Sequence, residues 1–174
     1  MSFHHIPLGK KSPEVVNVVV ENPEGSPNKF EYDEEMDEIK LDRVLHSPMH
    51  FPANYCFIPQ TRGEDGDHLD ALVLTSTLMF PGVVVSTRVI GAIDMEDEAG
   101  QDWKILGVAE KDPRLSHIES VEDMGAHFKK EVEHFFKEYK TLEGKWMNIK
   151  GWLNKEAALR LIKEGAERFA KEKH

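Results

Sequence analysis

The spacing of apolar and polar positions changes once along this chain. Through its first two thirds, short β-branched or aromatic runs alternate with turn residues, and after about residue 120 the apolar positions recur every three or four residues. Residues 1–14, with Pro7, Gly9 and Pro13, predict an irregular arm. Residues 15–20 predict a strand ending at Glu21, followed by a Pro- and Gly-containing turn. In residues 29–32 charged and aromatic side chains alternate, so Lys29 and Glu31 share one face and Phe30 and Tyr32 the other. An acidic hairpin turn over 33–38 leads to a strand over 39–44 that carries Arg43. After a Pro-rich loop (46–54) come an aromatic strand with Tyr55 (54–59), a buried strand (71–74) and the longest β-branched run (83–90). Residues 92–104 read as an acidic loop and 105–108 as a short strand. Many short strands joined by turns favour a barrel over alternating βαβ units.

Two helices are expected to close the chain. Ser120 with Asp123 three residues on resembles a capping box. Val121, Met124, Phe128, Val132, Phe135, Phe136 and Tyr139 then make one apolar face. A strand over 146–152 separates this helix from a second one capped by Asn154, with Ala157, Ala158, Leu161, Ile162 and Phe169 on or near its buried side. The class is α+β, mostly β. No stretch is long and polar enough to act as a linker, so 174 residues predict one domain, 1–174.

Composition narrows the function. A formal net charge of -10 argues against a nucleic-acid or anionic-membrane partner, because both need a basic surface. No apolar run approaches the ~20 residues of a membrane span, and the N-terminus lacks the basic-then-apolar order of a secretory signal. The single cysteine, Cys56, permits no intrachain disulfide and fits a reducing, cytoplasmic setting; it reads as a small packed residue beside Tyr55 and Phe57.

The chemistry concentrates in residues 65–74. Asp65, Asp67 and Asp70 fall within six residues at the entry to the buried strand. Carboxylates this close repel one another and raise each other's pKa, and divalent metal is the usual remedy. An EF-hand does not fit, since its fifth, sixth and twelfth positions hold Leu69, Asp70 and Ser76. A second acidic group, Asp97, Glu98 and Asp102, precedes Lys104. Hard oxygen donors favour Mg²⁺, Mn²⁺ or Ca²⁺. The nine histidines show no ligand spacing on a convincing helix; His68, inside the aspartate group, is the least certain. Lys29, Arg43, Lys104 and Lys140, with the hydroxyls of Tyr55 and Tyr139, supply fixed cationic and phenolic groups. Acids, metals and fixed cations together suit phosphoryl transfer. The Gly-rich phosphate loop of nucleotide enzymes does not occur.

These residues carry a resemblance. The order Glu21, Lys29-Phe30-Glu31, Asp42-Arg43, Asn54-Tyr55, Asp65-x-Asp67-x-x-Asp70, Asp97-Glu98 through Asp102-Trp103-Lys104, and Phe135-Phe136 through Tyr139-Lys140 is similar to that of the family I soluble inorganic pyrophosphatases, short prokaryotic type, over nearly the whole chain. The resemblance implies a small five-stranded OB-like barrel with two C-terminal helices packed outside. It implies hydrolysis of pyrophosphate to two phosphates by a metal-activated water, with several Mg²⁺ ions and with Mn²⁺ or Zn²⁺ as substitutes. The positions matching Asp65, Asp70, Asp97, Asp102 and Glu31 would hold metal, with Glu21 in the same pocket. Asp67 would be the general base, and Lys29, Arg43, Tyr55, Tyr139 and Lys140 would bind the phosphoryl groups, with Lys104 pairing the acids. It further implies a homohexamer.

Seven of these acids, Glu21, Glu31, Asp65, Asp67, Asp70, Asp97 and Asp102, with the four cations Lys29, Arg43, Lys104 and Lys140, leave the bare pocket at minus three, so pyrophosphate should be repelled until metal binds. Two positions depart from the pattern: His68 stands where Pro or Glu is usual, and Phe51 where many members carry Tyr. Two rival readings are an OB-type oligonucleotide-binding module, disfavoured by the acidic charge, and a metal-dependent hydrolase of polyphosphate or nucleotide.

Overall fold

The computed structural model describes residues 2–172. Met1 and His174, expected respectively in the N-terminal arm and among the histidines without a ligand role, lie outside the described residues. The strands are β1 (Val15–Asn22), β2 (Asn28–Asp33), β3 (Glu38–Val44), β4 (Asn54–Ile58), β5 (Leu69–Leu74), β6 (Val84–Asp97), β7 (Gly100–Gln101), β8 (Lys104–Ala109) and β9 (Met147–Leu153). The helices are α1 (Ala126–Glu138) and α2 (Lys155–Lys171).

Five strands pair in the order β1-β4-β5-β8-β6, and β6 pairs back onto β1. The sheet therefore closes on itself, and the expected small barrel stands as this five-strand ring. Closure removes the unpaired edges that an open sheet of such short strands would expose. β5 and β8 run parallel, while the other ring pairs are antiparallel. β2 and β3 form a separate hairpin beside the ring.

Period-two alternation builds the cores. Val16, Val18 and Val20 of β1, Cys56 and Ile58 of β4, and Ala71 and Val73 of β5 join Val89 of β6 and Ile105 of β8 in one buried cluster, and Ala158, Leu161 and Ile162 of α2 pack on it. Leu72, Ile90, Ile93, Met95 and Leu106 form a second cluster with Val132, Phe135 and Phe136 of α1. The Asn154 side chain caps α2 by accepting from the Ala157 N–H, as expected.

Two elements differ from expectation. Residues 92–97 are strand, because β6 runs on for 14 residues and pairs with β8, β7 and β9. Gly91 permits this continuation: a Cβ there would lie 2.2 Å from Val121 Cγ2 and 2.6 Å from the Leu153 carbonyl. The Ser120–Asp123 capping box exists, but it caps one 3₁₀ turn over Val121–Asp123; α1 begins only after Gly125, so Val121 and Met124 pack from that turn.

Candidate active site

Strand register brings the acids together. Asp70 is the second residue of β5 and lies opposite Lys104, the first of β8, in the parallel pair. Tyr55 of β4 pairs with Asn22 at the end of β1, next to Glu21. Asp65 and Asp67 ride the loop entering β5, where the Asp67 N–H donates to Asp65 Oδ1 (3.1 Å) and the Gly63 N–H to the Asp67 carbonyl (2.7 Å). These elements frame a cavity of about 360 Å³ lined by Glu21, Lys29, Glu31, Tyr55, Asp65, Asp67, Asp70 and Asp102.

Lys104 is the structural centre of the acid group. It is only 3% exposed, and its Nζ donates to Asp70 Oδ2 (2.6 Å) and to Asp102 while lying 5.3 Å from the Tyr55 ring centre. Burial would lower this ammonium's pKa, but Asp70 and Asp102 outweigh burial and hold it above its ordinary value. The Tyr55 hydroxyl donates to the same Asp70 oxygen at 2.5 Å, and burial pushes its own pKa well up.

The remaining acids bear the strain of crowding. Glu21 is buried at the end of β1 and accepts from the Tyr32 N–H at 2.7 Å. Its burial, then the Asp70 charge, push it from 4.5 up to about 8. Burial also raises Asp102, and Lys104 offsets only part of this. Partial burial, Asp65 and Asp70 raise Asp67. Lys29, which contacts Glu31, is pushed down to about 8 by burial. An acid group this reluctant to ionise calls for more positive charge than the chain supplies.

Other expected residues stand nearby without lining the cavity. Lys140 Nζ is 3.6 Å from Asp97 Oδ2, and Tyr139 is buried against Phe135. Arg43 pairs with Asp42, and its Nε donates to Glu143 (2.9 Å). Glu98 accepts from the Trp146 N–H (2.8 Å). Tyr32, Glu34, Gln101 and Trp103 also line the cavity and were not anticipated. Only their closeness to motif residues in sequence could have suggested them. Among the described residues, no three His, Cys, Asp or Glu side chains stand ready as a metal cage.

A closed β ring with a cavity lined by acids and Lys29, and with Arg43, Lys104 and Lys140 close by, suits a class: hydrolases that handle phosphoryl groups. Comparison with known proteins makes the class specific. The inorganic pyrophosphatase family model matches residues 18–170. An inorganic pyrophosphatase of Thermus thermophilus is 48% identical over 94% of this chain and 95% of its own length. One of Saccharolobus solfataricus is 47% identical over 92% and 95%. The crystal structure of the Thermus thermophilus inorganic pyrophosphatase superposes with a TM-score of 0.95 at 46% identity, covering 98% of this chain and 99% of that one. The chain belongs to the inorganic pyrophosphatase family, enzymes that hydrolyse pyrophosphate.

Proposed function

We propose that this protein hydrolyses pyrophosphate to two phosphates in a Mg²⁺-dependent reaction, as a single domain over 1–174. The observation that carries this reading is the gathering of Glu21, Glu31, Asp65, Asp67, Asp70 and Asp102 around one cavity in a chain of the inorganic pyrophosphatase family. A pocket of hard oxygen donors short of positive charge suits a small divalent cation. Asp65, Asp70, Asp97, Asp102 and Glu31, with Glu21 beside them, would hold the metal ions. When bound, Mg²⁺ supplies charge neutralisation at the phosphate oxygens and a more acidic water.

The chain's own groups do the rest. Lys29, Arg43, Lys140 and the Tyr55 and Tyr139 hydroxyls would bind the two phosphoryl groups, so that they stay in place as charge builds on the leaving phosphate. Arg43 and Lys140 begin from ion pairs with Glu143 and Asp97, and substrate would compete with those partners. Lys104 holds Asp70 and Asp102 in register. Asp67 sits at the exposed rim with a raised pKa and would accept a proton from the attacking water. Its neighbour His68, the departure at that position, also lines the cavity, stacked on Phe57 with Nε2 2.6 Å from Glu34 Oε1.

A cytoplasmic location and assembly as a homohexamer belong to this reading. Among the described residues no helix is long and apolar enough to cross a membrane. Sedimentation at micromolar concentration tests the assembly; a monomer contradicts it. Phosphate release from pyrophosphate, tripolyphosphate and ATP with Mg²⁺ tests the substrate. The reading requires pyrophosphate to be strongly preferred, and a preference for ATP overturns it.

A further inference from the structure

Arg62 lies outside the cavity, yet it joins two pieces of chain that wall it. Its backbone is strapped to α2: the Arg62 N–H donates to the Gly165 carbonyl (2.9 Å), and the Arg62 carbonyl accepts from Arg168 Nε (2.8 Å). The helix comes this close because residue 165 is glycine. A Cβ there would meet Leu69 Cδ1 at 2.6 Å and the Arg62 carbonyl oxygen at 3.2 Å.

From this anchor the guanidinium, 11% exposed with its side chain, reaches two carboxylates. Nη1 and Nη2 donate to the two oxygens of Glu34 at 2.6 and 3.1 Å, and Nε donates to Glu172 at 2.9 and 3.0 Å. The group also lies over the Phe169 ring, 5.1 Å from its centre. His68 fills the space between, with Nε2 2.6 Å from Glu34 Oε1, Nδ1 2.9 Å from the Thr61 carbonyl, and its ring stacked 5.2 Å from Phe57.

Glu34 follows β2, the strand of Lys29 and Glu31, while His68 follows Asp67 directly. The clamp therefore ties the β2–β3 hairpin to the loop of Asp65 and Asp67, and residues of both line the cavity. A two-point Arg–carboxylate bond fixes direction as well as distance, and lysine does not reproduce it.

We propose that Arg62, acting through Glu34 and His68, is a positioning residue that fixes the separation of the hairpin and the Asp65/Asp67 loop, and so sets the apparent affinity for pyrophosphate and its cations. This rests on the pyrophosphatase reading above. With the clamp broken, the two walls spend time in arrangements that do not bind. Apparent affinity falls by the lost competent fraction, and saturating ligand restores the working arrangement.

The test uses the full chain carrying Arg62→Met, Arg62→Lys, Glu34→Gln and the Arg62→Met/Glu34→Gln pair. Arg62→Met and Glu34→Gln should each raise KM for pyrophosphate and the half-saturating Mg²⁺ concentration by about 5–20-fold, with kcat within about twofold, and the double variant should be no worse than the worse single. Arg62→Lys should not rescue. In metal-free protein, amide exchange over residues 33–37 and 61–68 should quicken roughly tenfold in both single variants. Glu34 is on the rim, so its variant remains informative if Arg62→Met folds poorly. Unchanged KM and Mg²⁺ dependence, exchange changes confined to α2, effects that multiply in the double variant, or rescue by lysine would each overturn the role. Wild-type protein inactive on pyrophosphate would instead refute the activity reading, and this role with it.

Discussion

Replacing Glu21 with glutamine tests the electrostatic argument without any substrate. Glu21 is 6% exposed, and burial with the Asp70 charge raises it from 4.5 to about 8. The folded state thus holds a proton that the unfolded chain releases. For a carboxyl raised in this way, stability is fully present below pH 4.5 and is lost as pH rises toward 8. At about 1.4 kcal/mol per tenfold change in proton affinity, the loss has a ceiling of roughly 5 kcal/mol. Glutamine keeps the acceptor for the Tyr32 N–H and carries no charge to desolvate. Urea denaturation in excess chelator, at matched subunit concentration, should therefore give similar stabilities for both proteins near about pH 5, and a variant more stable by roughly 2–5 kcal/mol near about pH 9. Millimolar Mg²⁺ should shrink that gap, since a bound cation stabilises the ionised acid. Parallel pH curves for the two proteins would refute the reasoning.

Other substitutions separate the roles of neighbouring acids. Asp67→Asn should lower kcat by roughly 10²–10⁴-fold while leaving the Mg²⁺ requirement near wild type; full turnover across pH would remove Asp67 as the base. Asp70→Asn should instead raise the Mg²⁺ concentration needed for half-maximal activity, and an unchanged requirement would count against its place among the ligands. Lys104→Met leaves Asp70 and Asp102 facing each other without their cation, which should cost about 3–5 kcal/mol in chelator. Urea midpoints equal to wild type would show that Lys104 is not the counter-ion its bonds imply.

Local signals carried much of this molecule. The β-branched run of β1, the buried run of β5 and the Asn154 cap of α2 each follow from a few adjacent residues. β6 beyond Ile90 is hidden because Asp94 and Glu96 on its outer face, with Asp97 at its end, give it the composition of a loop, although Ile93 and Met95 keep the buried alternation. The start of α1 was misread because a Ser–Asp box caps a 3₁₀ turn as well as an α-helix.

In the site, Asp65, Asp67 and Asp70 announce themselves by spacing, and Lys104 falls beside Asp70 once β5 and β8 pair. The ties of Arg43 to Glu143 and of Arg62 to Glu172 span 100 and 110 residues. Neither has a sequence period, so both depend on the closed ring to bring their partners together.

The central claim is that divalent cations convert a cavity hostile to anions into one that holds pyrophosphate. Calorimetric binding of imidodiphosphate, a slowly hydrolysed analogue, in excess chelator and again with millimolar Mg²⁺ tests it most directly. The account predicts binding only with Mg²⁺; equal affinity in chelator would contradict it.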